Sequence, residues 1–263
     1  MADNPHYIEL VGKVIQVLEV LRDEPRGITL RDLTSRTGQV KSSVHRIVSS
    51  LRQHGYAEQE VAGGPYRLGL QAVTLARGAM EGISLLRIAR PMLRELADAF
   101  HESVYLAAVE GFRAIFVDVQ ESRRDLMLVG PLGAEVHFNA TAAGKVIAAF
   151  SAPETAAGIL ERLQLQQITG KTIIDPREVQ KEWAKVRKAG HARNDEETIV
   201  GALFLAAPVF DASGVVCGSI SIGIPKARFR SSMGEPIANT LKETATALSR
   251  ALEGAGYVHS RRR

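Results

Sequence analysis

The sequence predicts an α+β protein: an N-terminal winged helix-turn-helix, a linker helix, and a larger C-terminal domain built on an antiparallel sheet. Three observations predict it. Three short helical patterns and a hairpin signal are crowded into residues 1–69. Beyond residue 100, strand-like runs come in pairs joined by tight turns, with helical runs grouped around them. At 263 residues the chain also exceeds a single domain of ~100–200 residues.

The N-terminal elements follow from spacing and caps. Ile8, Val11, Ile15, Leu18 and Leu21 recur at helical intervals and predict an amphipathic helix ending near Asp23-Glu24-Pro25. Thr29 and Asp32 form a capping-box-like start, because a hydroxyl and a carboxylate three residues apart satisfy orphan amides. The helix they open, about 30–36, stops at Gly38. A third helix buries Val44, Ile47, Val48 and Leu51 on one face and ends at His54-Gly55, where glycine adopts the left-handed conformation of a helix C-terminus. Residues 56–60 and 66–68 flank the turn Ala62-Gly63-Gly64-Pro65 and predict a short hairpin. An Ala-rich run from Leu70 to Glu81 forms the linker helix, within a connector spanning 70–84.

The second domain, 85–255, opens with a helix over 85–100. Strands follow at 104–109 and 114–119, split by Glu110-Gly111. Gly130-Pro131 precedes a helix that starts at Thr141-Ala142-Ala143-Gly144-Lys145 and runs to Phe150. Asp175-Pro176 opens another, with Asp as cap and Pro at the first helical position. Strands at 203–210 and 215–224 turn at Asp211-Ala212-Ser213-Gly214, and a helix over 233–252 closes the domain. Residues 256–263 form a basic tail.

Composition sets limits on function. With 45% apolar and 24% charged residues the chain can build a packed core. No stretch approaches the ~20 apolar residues of a membrane span, and the first ten residues lack a signal-peptide pattern; a soluble, cytoplasmic protein without membrane partners is expected. A single cysteine, Cys217, rules out an internal disulfide. The net charge of +4 is unevenly placed: residues 26–54 hold Arg26, Arg31, Arg36, Lys41, Arg46 and Arg52 against Asp32 alone, and Arg261 to Arg263 end the chain. Such a block is the footprint of polyanion binding.

The third helix is the sharpest signal. Opposite its apolar face lie Ser42, Arg46, Ser49 and Gln53, with Ser43 and His45 on the flanks. A recognition helix enters the major groove by its N-terminal half, so Ser42, Ser43, His45 and Arg46 are the expected contacts to bases, with Ser49 beyond them. Arg can pair bidentately with guanine. Lys41 is expected at a phosphate, Arg67 with the Gly63-Gly64 tip at a neighbouring phosphate or the minor groove, and Arg31 as a further DNA contact.

These residues resemble a known family. The segment 38–46, Gly55-Tyr56 and the run from Tyr66 to Gly69 are similar to the DNA-binding domain of isocitrate lyase regulator (IclR) type transcription regulators. The similarity continues in order through Ala89-Arg90-Pro91, the start of the Thr141 helix, Glu196-Glu197, Gly201 and the segment 206–211. The resemblance implies a GAF-like effector-binding domain, assembly as a homodimer or dimer of dimers, and a double-stranded DNA operator as partner. It places Ala142, Ala143, Asn194, Phe204, Ser221 and Gly223 around an effector pocket. Acid-binding members carry Asp, Cys and Ser where this chain has Asn194, Phe204 and Gly223, which favours a bulkier, less polar ligand than a two-carbon acid. A helix start carries partial positive charge and suits a carboxylate, Ser221 adds a hydroxyl, and Asn194 offers donor and acceptor. The expected effector is therefore a small organic acid, with an aromatic one favoured by Phe204.

Catalytic readings compete poorly. Asp195-Glu196-Glu197 does not oppose two carboxylates across a substrate, since successive strand residues point apart; a structural or capping role is expected. The seven histidines lack metal-ligand spacing, and Gly144-Lys145 lacks the upstream glycine of a phosphate loop. Cys217 reads as a small buried hydrophobe. No cofactor or metal is expected. The competing classes are an enzyme or sensor-enzyme using the C-terminal pocket, and a sequence-indifferent DNA binder.

Overall fold

The computed structural model describes residues 6–81, 84–130 and 132–259. It divides into two compact units, Met1–Gly82 and Ile83–Arg263. The basic triplet Arg261 to Arg263 and Pro131 lie outside the described residues.

In the first unit, helices α1 (Glu9–Asp23), α2 (Leu30–Thr37) and α3 (Lys41–Gln53) enclose a core of Val17, Leu21, Leu33, Val44, Ile47, Val48 and Leu51. The Thr29 hydroxyl accepts from the Asp32 amide at 3.2 Å and donates to the Asp32 carboxylate at 2.7 Å, closing the start of α2 as expected. Gly38 ends α2 with φ +64°, a left-handed conformation that side chains with a Cβ resist. The hairpin is shorter than the sequence indicates: β1 (Ala57–Glu58) pairs with β2 (Arg67–Leu68) over two residues each. Ile28, in the connection ahead of α2, supplies the missing length, exchanging 2.8 Å backbone hydrogen bonds with Tyr66. Helix α4 (Gln71–Glu81) follows, with Leu70, Val73 and Leu75 exposed.

The expected apolar face of α1 is wrong in its first half. Ile8, Val11 and Ile15 are exposed, at 64%, 51% and 49%, while Val14, Val17, Leu18, Val20 and Leu21 pack on the core. The helix carries two apolar stripes, and periodicity alone does not say which one the neighbouring helices cover.

The second unit is an antiparallel five-stranded sheet in the order β4-β3-β7-β6-β5. Its strands are β3 (Ser103–Glu110), β4 (Arg113–Gln120), β5 (Ala192–Asp195), β6 (Ala202–Phe210) and β7 (Val216–Pro225). Helices α5 (Ser84–Phe100) and α9 (Gly234–Gly254) pack on one face; α6 (Ala142–Phe150), α7 (Pro153–Arg162) and α8 (Pro176–Ala189) build the other layer. Helix α7 and strand β5 have no counterpart among the expected elements. Pro153 at the first turn of α7 is the start signal that went unread, and β5 is a four-residue edge strand too short for a periodic pattern. Cys217 is fully buried, and burial pushes its thiol up to about 12, as suits an inert core residue.

Candidate functional site

The basic surface of the first unit is organised by α3. With Val44, Ile47, Val48 and Leu51 buried, Lys41, Ser42, His45, Arg46 and Ser49 are exposed and Ser43 is half-buried. Lys41, Arg46 and Arg31 form no ion pair among the described residues, so their charges face solvent uncompensated. Arg67 differs. Its guanidinium binds Glu58 at 2.6 Å and also Glu60, so the hairpin holds one cation against two carboxylates. Both partners come from the facing arm of the hairpin, a cross-strand register that the sequence reading did not use.

In the second unit the pairing register lays out a cavity floor. Tyr105, Ser221, Ala206 and Ala192 stand in one row across β3, β7, β6 and β5; Gly223, Phe204 and Asn194 stand in the next. These residues share a face because side chains alternate along a strand. The roof comes from the start of α6, Val129, Gly130, Ala134, Glu135, His137, Ile168 and Thr198-Ile199. Together they enclose about 250 Å³, lined by Tyr105, Phe116, Thr141, Ala142, Ala143, Asn194, Phe204 and Ser221 among others.

One wall of this cavity is aromatic. Tyr105 lies with its ring centroid 6.0 Å from both Phe116 and Phe204, in edge and tilted arrangements that favour aromatic pairs. Its hydroxyl donates to the Leu128 carbonyl at 2.6 Å, and burial pushes its pKa up to about 12. Polar groups line the helix start and the floor beside the rings. Thr141 caps α6 by accepting from the Gly144 amide at 3.0 Å, while the amides of Ala142 and Ala143 have no partner among the described residues. Ser221 is 3% exposed, and its hydroxyl makes no side-chain hydrogen bond among the described residues.

Two expected pocket residues serve differently. Gly223 does not open into the cavity. A Cβ there would stand 2.6 Å from Phe204 Cε1 and 3.1 Å from Tyr105 Cε2, so the glycine is the space in which the two rings settle. Asn194 lines the cavity at 1% exposure, but its carbonyl accepts from the Glu197 amide at 2.8 Å and its amide donates to the Thr198 hydroxyl at 2.8 Å. One amide hydrogen of Asn194 remains for a ligand, fewer groups than expected of it.

Two family models match the chain: "IclR helix-turn-helix domain" over residues 10–61 and "Bacterial transcriptional regulator IclR C-terminal" over residues 77–250. The chain belongs to the IclR family. It is 30% identical to the HTH-type transcriptional regulator KdgR of Escherichia coli (strain K12), over 86% of this chain and 85% of that protein. KdgR of Dickeya chrysanthemi is also 30% identical, over 86% of this chain and 73% of that protein. The crystal structure of an IclR-type regulator from Silicibacter sp. TM1040 superimposes with a TM-score of 0.80 at 26% identity, covering 93% of this chain and 96% of that one. As an IclR-family member the chain is a DNA-binding transcription regulator with a C-terminal effector domain. No described helix is long and apolar enough to cross a membrane.

Several cavity residues of this IclR-family chain escaped the sequence reading. Tyr105 and Phe116 are two of its eight phenylalanines and five tyrosines, and only assigning faces to β3 and β4 would have singled them out. A register shift beside Leu106/Ala107 sets Phe116 opposite Ala107 and so onto the cavity face, and no sequence pattern announces that shift. Lys145 did leave a signal. It is the one charge in the apolar run of α6, which calls for a buried partner. That partner is Glu197, read from sequence only as part of a structural acidic run.

Proposed function

We propose that this regulator binds a pseudo-palindromic operator as a homodimer or dimer of dimers and answers to a small organic acid, aromatic ligands being favoured. Each α3 lies in a major groove, with Ser42, Ser43, His45, Arg46 and Ser49 toward bases and Lys41 and Arg31 toward phosphates. What supports this is the uncompensated polar line along α3, opposite a fully buried face. Arg67, held by Glu58 and Glu60, contributes little to it. The exposed Leu70, Val73 and Leu75 around α4 are the apolar surface that a second subunit covers.

The ligand class rests on one observation: a cavity lined by both unpartnered donors and aromatic rings. The Ala142 and Ala143 amides at a helix start and the Ser221 hydroxyl take the carboxylate. Phe204, Tyr105 and Phe116 take the ring. The protein acts by binding, without turnover. Tyr105 is fixed to Leu128 and stays protonated, and the cavity's Glu135 is bound to Arg113 at the rim. Effector binding shifts the population of dimer geometries that fit the operator, limited by the ligand's differential affinity for them.

The test pairs two assays on the full-length protein: fluorescence anisotropy with duplex DNA from upstream of its own gene, and a thermal-shift screen of aliphatic and aromatic carboxylates. Saturable binding that resists excess unrelated DNA, and stabilisation by an aromatic acid, are expected. Binding of equal strength to any duplex would defeat the operator reading. Stabilisation by neutral aromatics alone would defeat the acid reading.

A further inference from the structure

Beside the start of α6 lies a buried ionic cluster. Lys145, 1% exposed, extends from α6 one turn beyond Ala142. Its ammonium donates to Glu197 Oε1 at 2.5 Å, to Glu182 Oε1 of α8 at 3.3 Å, and to the Arg193 carbonyl of β5 at 3.1 Å. Two carboxylates therefore share one ammonium. Glu197 Oε2 is buried and has no hydrogen-bond partner among the described residues. The remaining charges around Glu197 are engaged elsewhere: the Arg193 guanidinium binds Asp195 at 2.6 Å, Lys171 binds Glu196, and Lys185 stands 3.8 Å from the far oxygen of Glu182.

Glu197 is also the junction of two segments of the cavity wall. Its amide is held by Asn194, its carbonyl accepts from Thr172 at 2.6 Å, and Thr198 follows it in sequence. Thr172 Oγ1 accepts in turn from the amide of Ile168 at 3.1 Å. Asn194, Thr198 and Ile168 all line the cavity. The residue before the junction, Glu196, has φ +65°, so the chain turns sharply just ahead of it.

We propose that Lys145 and Glu197 are positioning residues of the effector cavity, fixing the 194–199 wall against α6, and that closure of this wall is coupled to proton uptake by Glu197. The inference concerns the wall itself and stands whatever ligand the cavity takes. Glu182 is part-exposed and also reaches Lys185, so the costly charge is that of Glu197: ionised, it keeps a buried oxygen, Oε2, that no donor among the described residues meets. A proton on Glu197 removes that cost. Burial, the largest cause, pushes the Glu197 carboxyl above the ordinary glutamate range, with Glu182 adding to the rise and Lys145 opposing it. An open wall exposes Glu197 to water and returns it to an ordinary value. Closure therefore gains as pH falls from above the closed-state pKa toward the ordinary one, and is weakened as pH rises.

Hydrogen exchange of the full-length protein, followed by mass spectrometry on peptides covering 194–199 with β6 as internal reference, tests this. Wild-type protection of 194–199 relative to β6 should increase several-fold as pH falls from about 9 to about 5, the range a buried glutamate spans. Glu197→Gln should keep protection within about threefold of the wild type at low pH and lose its pH dependence. Lys145→Met, leaving a buried carboxylate with no cation, should lose at least about tenfold in protection, and adding Glu197→Gln should restore most of it. Wild-type protection that does not vary with pH relative to β6, or a double variant no better protected than Lys145→Met, overturns the proposal. If Lys145→Met does not fold, the contrast between wild type and Glu197→Gln decides alone.

Discussion

The α3 surface and the effector cavity are opposite solutions to recognition. On α3 most polar groups are exposed, Lys41 and Arg46 have no ion-pair partner among the described residues, and the scaffold beneath is a simple apolar face. In the cavity several polar groups are already bonded within the protein, and among the described residues the Ala142 and Ala143 amides, Ser221 and part of Asn194 are among those left to a ligand. A surface of the first kind draws its partner by charge and is screened by salt. A cavity of the second kind selects by shape and by the penalty of leaving a few donors unmet.

The largest expected effect separates the two directly. If a dimer neutralises ~6–10 phosphates, operator affinity should fall by about three to five orders of magnitude between roughly 50 and 200 mM salt. Affinity for an organic acid should move by less than about tenfold, because the enclosed site is screened far less. A matching salt dependence in both would erase the distinction. Next comes Arg46→Ala, which should cost about 1–3 kcal/mol on the operator and relax one base step, whereas Lys41→Ala weakens all sequences alike. Competition binding against operator variants separates these outcomes.

Gly223→Ala probes the cavity without touching its polar groups. A methyl 2.6 Å from Phe204 Cε1 must displace a ring, and overpacking of this kind costs about 1–3 kcal/mol, read by calorimetric melting. A loss below about 0.5 kcal/mol would show that the rings have room to move. Of the open lining residues, Phe204→Ala should weaken an aromatic ligand by about 1 kcal/mol or more, and Ser221→Ala by about 0.5–1.5 kcal/mol, in titration calorimetry with the acid found by thermal shift. The smallest effect belongs to Arg67→Ala. With Glu58 and Glu60 holding the guanidinium, operator affinity should change by less than about threefold. A tenfold loss would mean that DNA displaces both carboxylates.

The two regions were also unequally legible. The α3 surface follows from one helix and its wheel, so Val44, Ile47, Val48 and Leu51 fix where Arg46 points. The Thr29–Asp32 cap and the Gly38 stop are equally local. Family resemblance placed Ala142, Ala143, Asn194, Phe204 and Ser221 at the cavity, yet their roles depend on a tight turn and on strand register that no spacing announces. Asn194 is engaged by Glu197 and Thr198, and Gly223 matters through Tyr105, a pairing set by strand register. The carboxylate partners of Arg67 went unread and the first half of α1 was misread for one reason, since a cross-strand pair and the choice between two apolar stripes are decided by what packs opposite.

The central claim is that one unit reads DNA while the cavity of the other governs the reading. It is tested most directly by measuring effector affinity with and without saturating operator, and operator affinity with and without saturating effector. Linkage requires both ratios to be equal, and a regulator of this kind should show a factor of about 5–150. An acid that binds the wild type, loses affinity in Phe204→Ala and Ser221→Ala, and yet leaves operator affinity unchanged would contradict the account.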